Sequence, residues 1–116
     1  MKNIDKKSLI YLACPYSDKD RSVRISRFKA ANRAAGKLMN KGLYVFSPIS
    51  HTHPIAEECK LPIGWEYWQG YDRKCLSNCK KMIILKLPGW KNSKGVAGEI
   101  EIAKELGIEI GYMEPV

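Results

Sequence analysis

The chain has 116 residues, of which 45% are apolar, and its 20 Lys and Arg residues outnumber its 12 Asp and Glu residues, giving a formal net charge of +8. This length suits one domain, predicted over residues 1–116, and leaves no material for a second core. The apolar content excludes a disordered chain. The basic balance favours an anionic partner, either a phosphorylated small molecule or nucleic acid.

The first 14 residues bear a superficial likeness to a lipoprotein signal with Cys14 as its anchor. The apolar stretch at 8–13 is shorter than the ~7–15 residues of a signal core, and Pro15 follows the cysteine at once. No apolar run approaches the ~18–20 residues of a membrane span. The sequence therefore predicts a cytoplasmic protein that contacts no membrane, with reduced thiols at Cys14, Cys59, Cys75 and Cys79.

Short apolar runs alternate along the chain with segments of helical period. The runs predict four strands, at residues 8–14, 43–46, 82–87 and 108–112. Three helices are predicted between them, from Asp18 or Asp20 to about Lys41, from about Gly64 to Cys79, and from Gly95 to Leu106. The long first helix has apolar residues at every third or fourth position, namely Ile25, Phe28, Ala31, Ala35, Leu38 and Met39.

This alternation predicts a three-layer α/β domain, with helices on both faces of a parallel sheet. Ligands of such sheets bind in the crevice beyond the carboxyl ends of the strands. Three loops are expected to line it, at residues 14–18, 47–62 and 88–95. The second contains three prolines and no clear period, and we interpret it as a functional loop.

Two carboxylates fall on helix faces that should avoid water. Placed on a helical wheel, Glu99 lies within the apolar stripe of the last predicted helix, in its first turn, where the helix dipole favours an anion. Asp72 lies in the middle of the apolar face of the preceding helix, beside Trp68 and Leu76. Each could be a capped or ion-paired core acid, because isolated buried charge is costly. As a pair, one nucleophile and one proton handler, they suit cleavage of a glycosidic bond.

Three segments of the sequence resemble the nucleoside 2-deoxyribosyltransferase superfamily, including its branch of 2'-deoxynucleoside 5'-monophosphate N-glycosidases. Residues 11–17, Tyr-Leu-Ala-Cys-Pro-Tyr-Ser, look like the family's first-strand motif. Asp72 is similar to its central aspartate. Residues 93–99, Ser-Lys-Gly-Val-Ala-Gly-Glu, look like its Gly-rich turn, which ends on the nucleophilic glutamate. The third segment is the most specific.

The resemblance implies a flavodoxin-like fold and a retaining mechanism without metal or cofactor. Glu99 would attack C1' of the 2-deoxyribose, Asp72 would assist the leaving base or orient the sugar, and Tyr11 would position the nucleophile. Ser93, in the turn that contains Gly95, stands where the monophosphate glycosidases carry a phosphate-binding serine. Together with the basic charge, this favours a deoxynucleotide over a deoxynucleoside as substrate. The resemblance also implies a homodimer or a larger homo-oligomer.

The first loop departs from the pattern of the monophosphate glycosidases, which carry a serine and an arginine there for the phosphate. In this chain Ser17, Arg21 and Arg24 are the candidates for that role. The segment that contains His51 and His53 has no counterpart to carry over. His51 and His53 are each a plain loop histidine, a contact to a base or phosphate or, less favoured, a metal ligand without a third partner. His51 is the one selected as a candidate for substrate binding.

Three further features keep structural alternatives beside functional ones. Trp90, in a crevice loop, is a candidate for stacking on a base, whereas the other two tryptophans are interpreted as core or subunit contacts. Cys75 and Cys79 are interpreted as buried small hydrophobes. The basic first helix could contact nucleic acid, although a solvated face is commoner. The sequence therefore predicts an N-glycosidase or deoxyribosyltransferase, with a non-catalytic nucleotide- or nucleic-acid-binding protein as the alternative.

Overall fold

The computed structural model describes residues 8–116, so residues 1–7, including the start of the predicted domain and of the lipoprotein-like segment, lie outside it. The strands are β1 (Leu9–Ala13), β2 (Tyr44–Phe46), β3 (Lys81–Leu85) and β4 (Glu109–Met113). The helices are α1 (Arg21–Asn40), α2 (Pro48–Cys59), α3 (Trp65–Leu76) and α4 (Lys94–Leu106), with a 3-10 turn at Trp90–Asn92. None of the helices in the described part of the chain is long and apolar enough to cross a membrane.

The four strands form one parallel sheet in the order β2-β1-β3-β4. This is the order of the first four strands of flavodoxin-like sheets, in which the direction of winding reverses between β1 and β3. The predicted three-layer, flavodoxin-like fold is therefore confirmed. The reversal matters for function because it opens a crevice between the two central strands at their carboxyl ends.

Alternate residues of the central strands build a separate hydrophobic core on each face of the sheet. Ile10 and Leu12 face α1, whose buried residues are small except at Leu38. Tyr11 and Ala13 face the other way, toward a cluster that includes Leu76 of α3 and Val96, Ile102 and Ala103 of α4. The period-two alternation of a strand thus sends Tyr11 to the α4 side of the sheet.

The interpretation of residues 47–62 as a loop is wrong, because most of this segment forms α2. Ser47 caps this helix by accepting a hydrogen bond from the backbone N–H of Ser50 at 3.4 Å, and Pro48 occupies the first turn, where proline is tolerated. Pro54 lies within the helix on its exposed side. The helix ends at Lys60, whose φ of 55° places it in the left-handed region.

Several predicted boundaries and faces also change. Helix α3, predicted to extend to Cys79, ends at Leu76. Cys79 therefore lies in the turn before β3, where it is buried. Met39, given above as part of the apolar period of the first helix, is 51% exposed, and it lies in the last turn of α1. All four cysteines are free thiols, of which Cys14 and Cys79 are buried.

Candidate active site

A cavity of about 450 Å³ opens at the carboxyl ends of β1 and β3. The segment that follows β1 and the segment from Gly89 to Gly95 contribute to it, as the sequence predicts for its first and third crevice loops. The third contribution comes from α2 and α3 rather than from a loop. The cavity therefore lies at the switch point of the sheet, where parallel α/β domains bind their ligands.

Glu99 enters the cavity from the first turns of α4 and is only 5% exposed. Ser93 caps this helix, its hydroxyl oxygen accepting a hydrogen bond from the backbone N–H of Val96 at 3.2 Å. The hydroxyl of Tyr11, which projects from β1, donates a hydrogen bond of 2.5 Å to Oε2 of Glu99. The sheet and the helix thus hold the carboxylate from two sides.

Asp72 of α3 lines the same cavity and influences the ionisation of Glu99. Burial raises the pKa of Glu99, and the negative charge of Asp72 raises it further, whereas the hydrogen bond from Tyr11 lowers it. The net pKa is about 8. Burial raises the pKa of Asp72 to about 7. The pKa of Tyr11 is held well above its usual value by burial and by both acids. Because the charge of Asp72 disfavours ionisation of Glu99, and burial raises both pKa values, the arrangement favours a state near neutral pH in which at least one of the two acids is protonated.

The indole of Trp65 forms part of the cavity wall where α3 crosses α4. A Cβ atom built on Gly98 would lie 2.2 Å from this ring, so only glycine lets the ring pack against α4 at that point. Trp68 also lines the cavity, and its Nε1–H donates to the carbonyl of Pro62 at 2.7 Å. The sequence analysis interpreted both tryptophans as core or subunit contacts, and it assigned no role to Gly98.

An arginine that the sequence analysis did not select reaches the cavity from α1. The guanidinium of Arg27 donates to the carbonyl of Ser17 at 3.1 Å and lies close to Gly89, at whose position a Cβ would be 3.3 Å from Nη2. Ser17 lines the cavity as predicted, and its hydroxyl donates to the carbonyl of Ile63 at 2.5 Å. Arg27 thus links the two segments that follow β1 and β3, and it brings a positive charge to the cavity.

The positions of four candidates for substrate binding differ from the prediction. Arg21 lies on the surface, where its Nε donates to Glu57 at 2.7 Å. Arg24 turns toward the backbone, donating from Nη1 to the carbonyl of Asp18 at 2.5 Å. His51 is exposed beside Phe46, and Trp90 packs on Tyr112 with ring centroids 5.6 Å apart. These four lie away from the cavity because the helical phase of α1 and α2, and the short turn after β3, direct them elsewhere.

The other histidine of the chain does line the cavity. His53 of α2 is 6% exposed, and a hydrogen bond of 2.6 Å joins its Nδ1 to the hydroxyl of Tyr16. Its ring stacks on Phe28 with centroids 4.3 Å apart. Burial lowers the pKa of His53, so that its neutral form predominates near neutral pH.

Two of the remaining candidates, Ser93 and Gly95, line the cavity at the start of α4. Backbone N–H groups at a helix N-terminus are free to bind an anion, and Lys94 adds a positive side chain there. Within residues 8–116, no group of three or more His, Cys, Asp or Glu side chains is placed to hold a metal ion. The start of α4 thus brings hydrogen-bond donors and one positive side chain, 3.8 Å from the carboxylate of Glu66, to the cavity.

The fold and the cavity define a class of protein: a flavodoxin-like α/β domain with two acids, the buried Glu99 and the half-buried Asp72, at its switch point. The chain belongs to a family described as a domain of unknown function, DUF1937, whose model matches residues 8–114. A comparison with curated proteins gave no match.

Proposed function

We propose that this protein cleaves or transfers the N-glycosidic bond of a 2'-deoxynucleotide or deoxynucleoside through a glutamate nucleophile. One observation carries the proposal: the buried carboxylate of Glu99, bonded to the Tyr11 hydroxyl at 2.5 Å, shares a cavity with the second acid, Asp72. Retaining glycosidases use two such acids, one ionised to attack and one protonated to assist the leaving group. The similarity of the residues 93–99 to the deoxyribosyltransferase turn adds support.

In the first step of the proposed reaction, a carboxylate oxygen of Glu99 forms a bond to C1' as the bond from C1' to the base nitrogen breaks. Asp72 in its protonated form gives its proton to the departing base. The raised pKa of Asp72, about 7, suits this donation near neutral pH. The Tyr11 hydrogen bond favours the ionised form of Glu99 that the attack requires.

In the second step, a water molecule attacks C1' and the bond to Glu99 breaks, releasing its carboxylate. The Asp72 carboxylate accepts a proton from that water and so returns to its starting state. If a second free base enters instead, its nitrogen attacks C1' as the bond to Glu99 breaks, the Asp72 carboxylate accepts the proton of that nitrogen, and the reaction is a transfer. The cavity of about 450 Å³ suits a ligand of nucleotide size.

The phosphate of a nucleotide would find positive partners at one end of this cavity. The N-terminus of α4 presents Ser93, Lys94 and Gly95, and the guanidinium of Arg27 lies at the segments after β1 and β3. Ser17, whose backbone carbonyl Arg27 already contacts, is beside it. This arrangement favours a nucleotide over a nucleoside, with Arg27 in the position that the sequence analysis assigned to Arg21 or Arg24.

The test is release of free base from a panel of deoxynucleoside monophosphates and deoxynucleosides, followed by chromatography. We expect Glu99→Ala to abolish release, whereas Glu101→Ala, an exposed acid on the same helix, should leave it unchanged. Adding a second free base distinguishes transfer from hydrolysis. If no substrate releases base, and the wild-type protein cannot be distinguished from Glu99→Ala, the proposal is wrong.

The non-catalytic alternative has less support from the side chains on which it depends. Arg21 is exposed but its charge is paired with Glu57, and Arg24 bonds to the backbone of its own segment, so both already have partners within the protein. A binding protein also has no need for two acids with raised pKa values in its cavity. Salt-dependent binding to oligonucleotides that weakens in Arg21→Ala and Arg24→Ala variants would favour this alternative.

The same proposal includes a homo-oligomer that works in the cytoplasm on a small-molecule ligand. The exposed aromatic side chains of Tyr67 and Tyr71, each packed edge-to-face on Trp68, support a contact between copies through α3. The four free thiols support a reducing compartment. Light scattering coupled to size-exclusion chromatography tests the oligomer, and a monomeric mass at high protein concentration would contradict it.

A further inference from the structure

The wall that α2 contributes to the cavity presents an imidazole that the proposed reaction does not use. The ring of His53 is held by stacking on Phe28, with centroids 4.3 Å apart and planes 27° apart. It is held in its own plane by the 2.6 Å hydrogen bond between Nδ1 and the Tyr16 hydroxyl. Within the described residues, Nε2 makes no hydrogen bond, so it is the ring nitrogen left for a ligand.

The direction of the hydrogen bond follows from the charge beside Tyr16. Burial raises the pKa of Tyr16, and the nearby guanidinium of Arg24 opposes that rise. A cation beside the phenol attracts the oxygen lone pairs and turns the O–H proton away from itself. Tyr16 therefore donates to Nδ1 of His53, and a neutral imidazole that accepts at Nδ1 carries its proton on Nε2.

We propose that His53 is a specificity-determining residue whose Nε2–H donates a hydrogen bond to a carbonyl oxygen of the ligand's base. Tyr16 is the positioning residue of His53, and the charge of Arg24 in turn orients the hydroxyl of Tyr16. The inference rests on the proposed function for the nature of the ligand, a nucleotide or nucleoside. It adds the requirement that the group facing α2 is an acceptor.

A fixed donor discriminates between bases that differ in one exocyclic group. Hypoxanthine and uracil present a carbonyl oxygen where adenine and cytosine present an amino group, whose N–H would face the N–H of His53 and leave both unpaired. An unpaired buried donor typically reduces affinity by about tenfold to a hundredfold. We therefore expect hypoxanthine to be preferred over adenine, and uracil over cytosine, within that range.

The experiment compares these matched pairs as deoxynucleoside monophosphates. Calorimetry measures their binding to the Glu99→Gln variant, and steady-state kinetics measures kcat/KM with a protein that retains Glu99. His53→Gln should abolish both preferences, because a glutamine amide can rotate to offer either its oxygen or its N–H group. His51→Gln is the matched control, since His51 is exposed and lies away from the cavity, and it should retain them. Thermal unfolding of each variant establishes that it folds.

Nitrogen-15 NMR of the two imidazoles tests the proton position directly, with His51→Gln assigning the signals. We expect His53 to be protonated at Nε2, and Tyr16→Phe to shift it toward a mixture of tautomers while reducing the base preference. This variant keeps the aromatic ring, so it also serves if His53→Gln fails to fold. A proton found on Nδ1 would overturn the inference.

The outcomes for the inference and for the proposed function are separable. Base release without discrimination within the pairs, or discrimination that persists in His53→Gln, overturns the inference and leaves the proposed function standing. If the protein discriminates between the bases in binding but releases no base, the proposed function is overturned and the inference about His53 stands. If neither these nucleotides nor the deoxynucleosides of the panel bind or release base, both are wrong.

Discussion

Tyr11 and Glu99 show how one hydrogen bond can oppose the effect of burial on the ionisation of a carboxylate. Burial and the neighbouring charge of Asp72 raise the pKa of Glu99, whereas the Tyr11 hydroxyl lowers it. A hydrogen bond to a charged group is worth about 1.5–3 kcal/mol. The Tyr11 hydroxyl therefore increases the fraction of Glu99 that is ionised near neutral pH, which is the form that the proposed attack requires.

Replacing Tyr11 with Phe removes this donor and leaves the ring. We expect the pKa of Glu99 to rise further, so that the acid limb of the pH profile of kcat/KM moves to higher pH. Base release near neutral pH should fall by about 10- to 100-fold, the equivalent of the lost hydrogen bond. Steady-state kinetics across the pH range measures both effects. Tyr44→Phe, at an exposed tyrosine of β2, is the control, and an unshifted limb in Tyr11→Phe would contradict the role of Tyr11.

At the scale of the elements, the packing of α3 on α4 depends on one glycine. Gly98 admits the indole of Trp65, which in turn forms part of the cavity wall beside Asp72. The distance of 2.2 Å between a Cβ at Gly98 and the Trp65 ring leaves no room for a methyl group. The Trp65 indole, packed against Gly98, thus fixes the position of α3, which carries Asp72, relative to α4, which carries Glu99.

Gly98→Ala should therefore destabilise the protein by about 1–3 kcal/mol, because overpacking displaces the ring or the helix. Urea unfolding monitored by tryptophan fluorescence gives the magnitude. Gly70→Ala is the matched control: Gly70 also lies in a helix, but a Cβ there meets nothing within 4 Å. That variant should stabilise the protein by about 0.5–1 kcal/mol through helix propensity. Equal effects of the two substitutions would contradict the tight contact at Gly98.

The end of α2 gives a second prediction at this scale. Lys60 is in the left-handed region with φ of 55°, a conformation that costs a side chain about 1–2 kcal/mol relative to glycine. Lys60→Gly should therefore stabilise the protein, by less than that amount because glycine also gains entropy in the unfolded chain. The reverse substitution at an equivalent helix end, Gly107→Lys with φ of 70°, should destabilise it. Thermal unfolding of both variants compares the signs.

At the scale of the whole molecule, the buried acids connect the site to global stability. A carboxyl group with a raised pKa binds its proton more tightly in the folded than in the unfolded state. Its contribution to stability is full below the unfolded pKa and is lost as pH rises through the folded pKa. For Glu99 this window extends up to about 8, and for Asp72 up to about 7.

Glu99→Gln removes this titration and preserves an acceptor for the Tyr11 hydroxyl. The free energy of unfolding of the variant, relative to the wild-type protein, should increase between about pH 5 and about pH 8, at up to about 1.4 kcal/mol per pH unit. Denaturant unfolding at a series of pH values measures the difference. Glu101→Gln, on the exposed side of α4, should show no such trend. A pH-independent difference for Glu99→Gln would contradict the raised pKa.

Much of the fold was predictable because its determinants are local. The apolar runs of the four strands and the period of α1, α3 and α4 are written in consecutive residues, and their alternation implies a parallel sheet. The test that selected Glu99 and Asp72, an acid on an apolar helix face, needs only the helical period. Applied to basic as well as acidic residues, the test would also have selected Arg27, which lies one turn before the buried Ala31 of α1.

The α2 segment was missed because its prolines obscure a helical period that is nevertheless present at Ile49, Thr52, His53 and Ala56. A proline in the first turn costs a helix nothing, and Pro54 loses only one backbone bond on the exposed side. Without the helix, the sequence analysis had no means of choosing between His51 and His53. The phase of α2 makes that choice.

The amino-acid sequence by itself determined the four strands, the helices α1, α3 and α4, and which acids face the sheet, since these depend on neighbours within a turn or two. Only the tertiary structure decided which arginine and which histidine reach the cavity. It also gave the hydrogen bond from Tyr11 to Glu99, 88 positions away in the chain, a contact that the family resemblance implies but that no local pattern predicts. The physical reason is that these contacts join elements on different strands and layers. Their geometry is set by strand order, helix phase and close packing, which no local pattern encodes.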